Sequence, residues 1–228
     1  MSDLNAQRLA EISSPFTGIE MQKLPEPDVI ETLDFETLLE ERLAALQTAM
    51  LDHDPNYNRP LVSDPAYQVH SVEAYRELLL RARINDAAKS VMLAYARGSQ
   101  LDQLALFWRV EREVIDPGDA EATPPVLPVL ESDARLLRRV LLKPEALTTA
   151  GSRGSYLFHT LSADAGVADA AIVSPEPCVI DVYVLATDGD GEPSLDQMDA
   201  VEARLTGDTV RPWGDRVSVY AAEIEPFD

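Results

Sequence analysis

The stretch Asp64–Trp108, which decides the fold, reads DPAYQVHSVEAYRELLLRARINDAAKSVMLAYARGSQLDQLALFW. Asp64 can cap a helix, and Pro65 suits the first helical position, where its missing N–H costs nothing. No Gly or Pro follows until Gly98, a common stop signal for helices. The spacing therefore predicts one helix of roughly 33 residues, about 50 Å long at 1.5 Å per residue. A helix of that length requires lateral support, from a bundle or from other chains.

Two apolar stripes run along this predicted helix. The first half carries Tyr75, Leu78, Leu79 and Ala82, and the second half carries Ile84, Ala87, Ala88, Val91 and Tyr95. The second stripe is rotated away from the first, which predicts a helix that is buried on several sides. A shorter helix follows, and Ser99 and Asp102 have the spacing of a capping box at its start.

An earlier helix, capped by Asp34, is predicted from apolar residues at nearly coiled-coil spacing. Together with the stripes, it predicts contacts with helices of other chains at Leu39, Leu43, Leu46, Leu79, Ile84, Val91 and Tyr95. Polar residues interrupt the stripes at Arg76, Arg81, Arg83, Asn85 and Asp86. They fit a solvated face with local pairs such as Glu77–Arg81, and equally a set of keys that fix how chains dock.

The chain order predicts an α+β fold with four segments. Residues 1–30 form an N-terminal arm, 31–110 a helical core-bundle domain, 111–130 a proline-rich linker, and 131–228 an α+β domain. In the last segment we expect a helix capped by Ser132 and a short helix after Gly151. Strands at Val167–Val173 and Cys178–Ala186, a helix near Leu195–Leu205 and a strand at Arg216–Ile224 should follow.

The composition excludes several classes of function. The chain has 228 residues and a formal net charge of -21, which opposes binding to nucleic acid or to anionic membranes. The N-terminus lacks the basic start and apolar run of a signal peptide, and no stretch of about 18 apolar residues could span a bilayer. A strongly acidic chain instead suits partners with basic patches.

The chemistry-bearing residues predict no metal, cofactor or catalytic site. The three histidines have no metal-ligand spacing, and Cys178 opens an apolar strand, so we expect a buried thiol. Two alternatives to an assembly role remain. One is a hydrolase whose site is assembled from Ser155, His159 and Asp181. The other is a soluble acidic module that binds a basic partner.

The run EAYRELLLRARINDAAKSVMLAYARGSQLDQLA at 73–105 resembles the baseplate J-type proteins of contractile-tailed phages and phage-tail-like bacteriocins. Supporting stretches are LPEPDVIETLDFETLLEERLAAL at 24–46, ESDARLLRRVLL at 131–142, TTAGSRGSYLFHTLSADAGVADAAIVSPEPCVIDVYVLA at 148–186 and VRPWGDRVSVYAAEIE at 210–225. The resemblance thus covers about residues 24–228, in order.

The resemblance implies a structural wedge component of a tail baseplate, without enzyme activity. Two copies and one tail protein I-type chain would form each wedge, with their N-terminal helices in a three-chain bundle. The later domains would link neighbouring wedges into a ring around the central hub, with a lysozyme-like wedge protein nearby. The protein would be made in the host cytoplasm and located in the virion tail. The family usually continues past the position of Asp228, so we expect its C-terminal segment to be absent here.

Overall fold

The computed structural model describes residues 27–224, so most of the predicted N-terminal arm lies outside the described residues. The described chain divides into two compact units, which we call the helical unit (27–96) and the mixed unit (97–224). The predicted boundaries, at residues 110 and 130, differ from this division.

The helical unit is a hairpin of helix α1, Phe35–Leu51, and helix α2, Pro65–Ser90. Asp34 caps α1 as predicted, because its carboxylate accepts a hydrogen bond of 2.8 Å from the Thr37 N–H. The hairpin is held by a small apolar core of Leu38, Leu39, Leu43 and Ala74, with Phe35, Tyr67 and Leu78 packed around it. Burial of these side chains is the main favourable term that holds the two helices together.

Helix α2 has 26 residues, so the predicted length of roughly 33 is wrong. It ends at Ser90, whose hydroxyl donates to the Ala87 carbonyl at 2.7 Å and satisfies one of the open acceptors of the last turn. Val91 then leaves helical geometry at φ -95° and ψ 3°. Gly98, at φ 53°, does not end this helix. It is the N-cap of the next helix, and the predicted capping box at Ser99 does not form.

The mixed unit contains the remaining elements. They are α3 (Ser99–Phe107), β1 (Val114–Asp116), β2 (Val129–Leu130), α4 (Asp133–Leu142), a 3-10 turn (Lys143–Leu147), α5 (Arg153–Leu161), β3 (Val167–Val173), β4 (Val179–Ala186), α6 (Leu195–Leu205) and β5 (Arg216–Ala221). Helix α3 packs on α4. It therefore lies in the mixed unit, whereas the sequence analysis assigned it to the helical domain.

A three-stranded sheet in the order β3-β4-β5 is the base of the mixed unit. Strands β3 and β4 are antiparallel, and β5 runs parallel to β4 after the crossover through α6. Helices α5 and α6 pack against the sheet. Along β4 the buried residues alternate, with Ile180, Val182 and Val184 in the core. Tyr183 points to the other face and stacks on Tyr220, with ring centroids 5.5 Å apart. The predicted α+β class is confirmed.

Residues 114–130 form a hairpin rather than a linker between two bodies. Val114 pairs with Leu130, and Asp116 pairs with Val129. The hairpin follows Glu113 and precedes Glu131, which both lie in the mixed unit. It therefore begins and ends in the same unit, and we call residues 114–130 the arm.

Candidate functional site: the outer stripe of helix α2

The predicted partner contacts on α1 lie inside the helical unit. Leu39 is 3% exposed and Leu43 is 1% exposed, because both pack against α2 of the same chain. Leu46 is half-buried. Leu39 and Leu43 therefore hold the hairpin together and are not available to a partner while the hairpin is intact.

The opposite face of α2 carries a row of exposed apolar side chains, which we call the outer stripe. It comprises Val69, Val72, Leu79, Leu80 and Ile84, together with Val91 at the C-cap, each between 50% and 70% exposed. At about 100° per residue, positions three, four, seven and eleven apart share one side of a helix. Ala74 and Asn85, which are buried, mark the side that faces α1. Half of each stripe side chain thus remains in contact with water, which is unfavourable for a surface of this length.

Three of the predicted contacts, Leu79, Ile84 and Val91, belong to the outer stripe. Tyr95 does not, because it lies four residues beyond Val91, the C-cap residue of α2. Its ring is half-buried and lies 5.7 Å from the ammonium of Lys89. Leu80 was not among the predicted contacts, although it precedes Ile84 by four residues and Val91 by eleven, which is the spacing of one helix face.

Arg76 and Arg83 lie within the outer stripe, seven residues apart. Both side chains are exposed, and neither forms an ion pair with any residue in the described ranges. Asp86 is exposed at the edge of the same face. Residues seven apart return to nearly the same side of a helix, so the two guanidinium groups face one partner surface.

The other two polar residues are used within the chain. The Asn85 side-chain amide donates to the Glu31 carbonyl at 2.8 Å, and its oxygen accepts from the Glu31 N–H at 3.2 Å. Arg81 pairs with Glu77 at 2.8 Å and with Glu31 at 3.1 Å. Hydrogen bonds from Arg42 and Arg81 hold the pKa of Glu77 below its usual value. Arg81 and Asn85 therefore attach the segment before α1 to α2.

The three residues of the predicted hydrolase site do not form a hydrogen-bonded Ser–His–Asp triad. Ser155 and His159 both lie on α5, but Ser155 Oγ and His159 Nδ1 are buried without a hydrogen-bond partner. Burial, followed by the charges of Arg204 and Lys143, lowers the pKa of His159 to about 4. Nothing joins these groups to Asp181, which lies on β4. A serine nucleophile needs a hydrogen bond to its base, so this arrangement does not activate Ser155.

No metal centre is found in residues 27–224, since no three His, Cys, Asp or Glu side chains are placed to hold an ion. Cys178 is exposed in the turn before β4 at φ 62°, so its predicted burial is wrong. None of the helices between residues 27 and 224 is long and apolar enough to cross a bilayer.

The acidic-module alternative requires free carboxylates in a groove. One depression of about 420 Å3 is lined by Glu113, Asp164 and Asp188, among others. However, Glu113 pairs with Arg135 at 2.7 Å, and Asp164 accepts from the Gly166 N–H at 2.8 Å. Two of these three carboxylates are therefore engaged within the chain and are poorly placed to bind a basic peptide.

Comparisons with known proteins agree with the quoted motifs. Residues 63–119 match the family model of the Baseplate J-like N-terminal domain, which includes α2 and its outer stripe. Residues 148–221 match the Baseplate J-like central domain, which includes the three-stranded sheet. Baseplate protein J of Escherichia phage P2 is 40% identical over 212 residues, covering 92% of this chain and 70% of that protein. The chain belongs to the baseplate J family, and it is a structural component of a phage tail baseplate.

Proposed function

We propose that this protein is a wedge component of a contractile tail baseplate whose outer stripe bundles with helices of other chains. The partners are a second copy of the protein and one tail protein I-type chain, as the family resemblance implies. The mixed unit then links neighbouring wedges into a ring around the hub, close to a lysozyme-like wedge protein. The exposed apolar row on α2 is the observation that carries the proposal.

The size of the stripe supports a shared contact. Fully burying an apolar side chain contributes about 1.5–3 kcal/mol, and the six stripe residues have about half of that still to gain, or about 5–9 kcal/mol in total. Association itself costs about 4–15 kcal/mol in lost translational and rotational freedom. The apolar surface alone therefore leaves little surplus, and the pairing of Arg76 and Arg83 decides whether a given partner binds.

Replacing two residues of the outer stripe with glutamate tests this proposal. The variant Leu80→Glu with Ile84→Glu should fold normally, because both side chains are more than 60% exposed. Its affinity for the co-expressed tail protein I-type chain should fall by about a hundredfold or more, since two buried carboxylates would lack partners. A pull-down with the partner as bait, followed by titration calorimetry, measures the loss.

The matched control is Leu61→Glu with Val62→Glu. These residues are 69% and 66% exposed in the same unit but lie in the loop before α2. The control should bind the partner as the wild type does. If the stripe variant binds with unchanged affinity, α2 does not contribute to the bundle through this face.

A further inference from the structure

The arm has a rigid root. The Glu131 N–H donates to the Glu113 carbonyl at 2.9 Å, which closes the hairpin where it meets the mixed unit. The Glu131 side chain is inaccessible and pairs with Arg135 and with Arg139, each at 2.5 Å. Arg112 donates to the Glu131 carbonyl at 2.7 Å. These contacts hold the two ends of the arm together and fix its direction where it joins α4.

The outer part of the arm is also ordered by backbone pairing. Asp119 and Val126 exchange two backbone hydrogen bonds of 3.0 and 2.8 Å beyond the β1–β2 ladder. Gly118, at φ 65°, permits this close approach, because a Cβ there would lie 2.4 Å from the Val126 carbonyl oxygen. The two strands therefore stay paired well beyond the root.

The apolar side chains of the arm are uncovered. Val114, Ile115, Val126, Leu127, Val129 and Leu130 are 48% to 80% exposed. Both faces of the hairpin are apolar, and a lone two-stranded hairpin is marginally stable in water. Such an arm gains stability when a partner surface covers it.

The charge of the arm is uniformly negative. Asp116, Asp119 and Glu121 are exposed, and the sequence has no Lys or Arg between Arg112 and Arg135. The surface that covers the arm therefore needs apolar area together with cations.

The mixed unit carries a surface of that kind, which we call the basic patch. It comprises Arg109, Lys143 and Arg204, with the exposed ring of Phe107 two residues before Arg109 along the chain. No described residue forms an ion pair with any of these three cations. The Lys143 ammonium lies 4.7 Å from the centroid of the Phe158 ring, and Arg204 donates to the Ser162 carbonyl. Phe158 and Ser162 are one turn apart at the end of α5, so Lys143 and Arg204 lie close to each other. Burial lowers the pKa of Lys143, and the positive charges of Arg204 and Arg109 lower it further.

Glu113, an acidic residue near the basic patch, already forms ion pairs elsewhere. Burial lowers the pKa of Arg204, and the charge of Glu113 offsets this only in part. The Glu113 carboxylate pairs with Arg135 and with Arg139 at 2.7 and 2.9 Å. Arg204 donates to the Ser162 carbonyl at 2.6 Å, which orients its side chain without neutralising it. A group of cations without carboxylate partners among the described residues is unusual in a chain with a net charge of -21.

We propose that the arm of one copy of this protein docks on the basic patch of a neighbouring copy. The arm brings three carboxylates and an apolar hairpin, and the patch brings three cations and an aromatic ring. Because the two surfaces differ, the contact is heterologous and repeats from copy to copy, which closes a ring when the rotation allows it. The proposal rests on the proposed role of the mixed unit in linking copies.

A charge exchange between the two surfaces tests the proposal. The arm variant carries Ala120→Lys and Glu121→Lys, which leaves the turn hydrogen bonds to Asp116 and Asp119 in place. The patch variant carries Arg109→Asp and Lys143→Glu, since Asp tolerates the positive φ of Arg109. The full-length chains are studied by sedimentation velocity over a concentration series.

The wild type should self-associate, and each variant alone should associate about tenfold or more weakly. An equal mixture of the two variants should regain the association. In that mixture the acidic arm of the patch variant meets the basic patch of the arm variant, so the wild-type contact forms between unlike copies. At 1 M salt, where the Debye length is about 3 Å, the wild-type association should weaken as well.

The control is Glu41→Lys with Ala45→Lys, which changes the net charge equally on the exposed side of α1. It should associate as the wild type does. A wild type that stays monomeric, an arm variant that associates normally, or a mixture that fails to associate would each overturn the proposal. Protection of the amides of Asp119 and Val126 from hydrogen exchange should rise with concentration, which gives a readout independent of the variants.

The failure of this proposal is distinguishable from failure of the proposed function. The arm variant should still bind the tail protein I-type chain, because its outer stripe is intact. Conversely, Leu80→Glu with Ile84→Glu should still self-associate through the arm.

Discussion

Replacing Glu131 with Ala should destabilise the mixed unit by about 3 kcal/mol, because this carboxylate is buried between two arginines. Glu131 Oε2 accepts from Arg135, and Oε1 accepts from Arg139 and from the Glu113 N–H. None of the Glu131 side chain is accessible to solvent, whereas 20% of the Glu113 side chain is accessible. Loss of Glu131 therefore leaves a buried positive charge that water cannot reach.

The size of the stability loss in Glu131→Ala depends on the ion pairs that the variant keeps. Removing one partner of a buried ion pair costs about 3–5 kcal/mol. Glu113 still pairs with both arginines in the variant, so the loss should lie at the low end of this range. The variant Glu131→Gln keeps the shape and one acceptor, and it should lose about 1–2 kcal/mol.

Urea unfolding, monitored by tryptophan fluorescence, measures this loss of unfolding free energy in the mixed unit. Trp108 and Trp213 are the two tryptophans of the chain, and both lie in the mixed unit. Glu192→Ala, at an exposed site on the turn before α6, is the control and should change the free energy of unfolding by less than about 0.5 kcal/mol. If Glu131→Ala lies within about 1 kcal/mol of the wild type, the buried network does not hold the root of the arm.

Three further changes have defined outcomes. Asn85→Ala should cost about 1–3 kcal/mol and remove hydrogen-exchange protection from the Glu31 amide, because two hydrogen bonds are lost; retained protection would contradict this. Gly118→Ala should open the pairing with Val126 and raise exchange there without changing the tryptophan-detected unfolding, since its Cβ would collide with that carbonyl. His159 has a folded pKa of about 4, below the ordinary value of 6.5 for a histidine, so the unfolded state binds protons first and stability falls as pH drops from about 6.5 to about 4. His159→Gln should lose less stability over that range, and an equal loss would refute the assignment.

Local signals in the sequence predicted most elements of the mixed unit. The strand Val167–Val173 and the helix Leu195–Leu205 have the predicted bounds. Ser132 caps α4 as expected, accepting from the Arg135 N–H. These elements depend on alternation, helical spacing and caps, which all act over a few residues.

The arm could not be predicted, because it depends on contacts between distant residues. Prolines in 111–130 are compatible with a linker or with a hairpin, and neither Glu113 nor Glu131 carries a local signal of burial. Their ion pairs with Arg135 and Arg139 bring the two ends of the segment together. The pairing depends on arginines of α4, which lie outside the segment, so no pattern within the segment reveals it.

The outer stripe was predicted only in part, because periodicity does not say which apolar side faces the same chain. Leu39 and Leu79 have similar sequence environments, but Leu39 is buried and Leu79 is half exposed. The choice depends on how α1 and α2 pack against each other. The hydrogen bonds of Asn85 to Glu31 help to fix that packing. The sequence therefore left Arg81 and Asn85 open between local pairing and docking, and in the structure both act inside the chain.

The mass of the complex formed on co-expression with the neighbouring tail proteins tests the central proposal most directly. Native mass spectrometry of the purified species should show two copies of this chain with one tail protein I-type chain, and the outer stripe should be protected from hydrogen exchange within it. A lone monomer that co-purifies with no tail protein I-type chain, and whose stripe stays unprotected, would contradict the proposal that α2 is the core of a shared bundle.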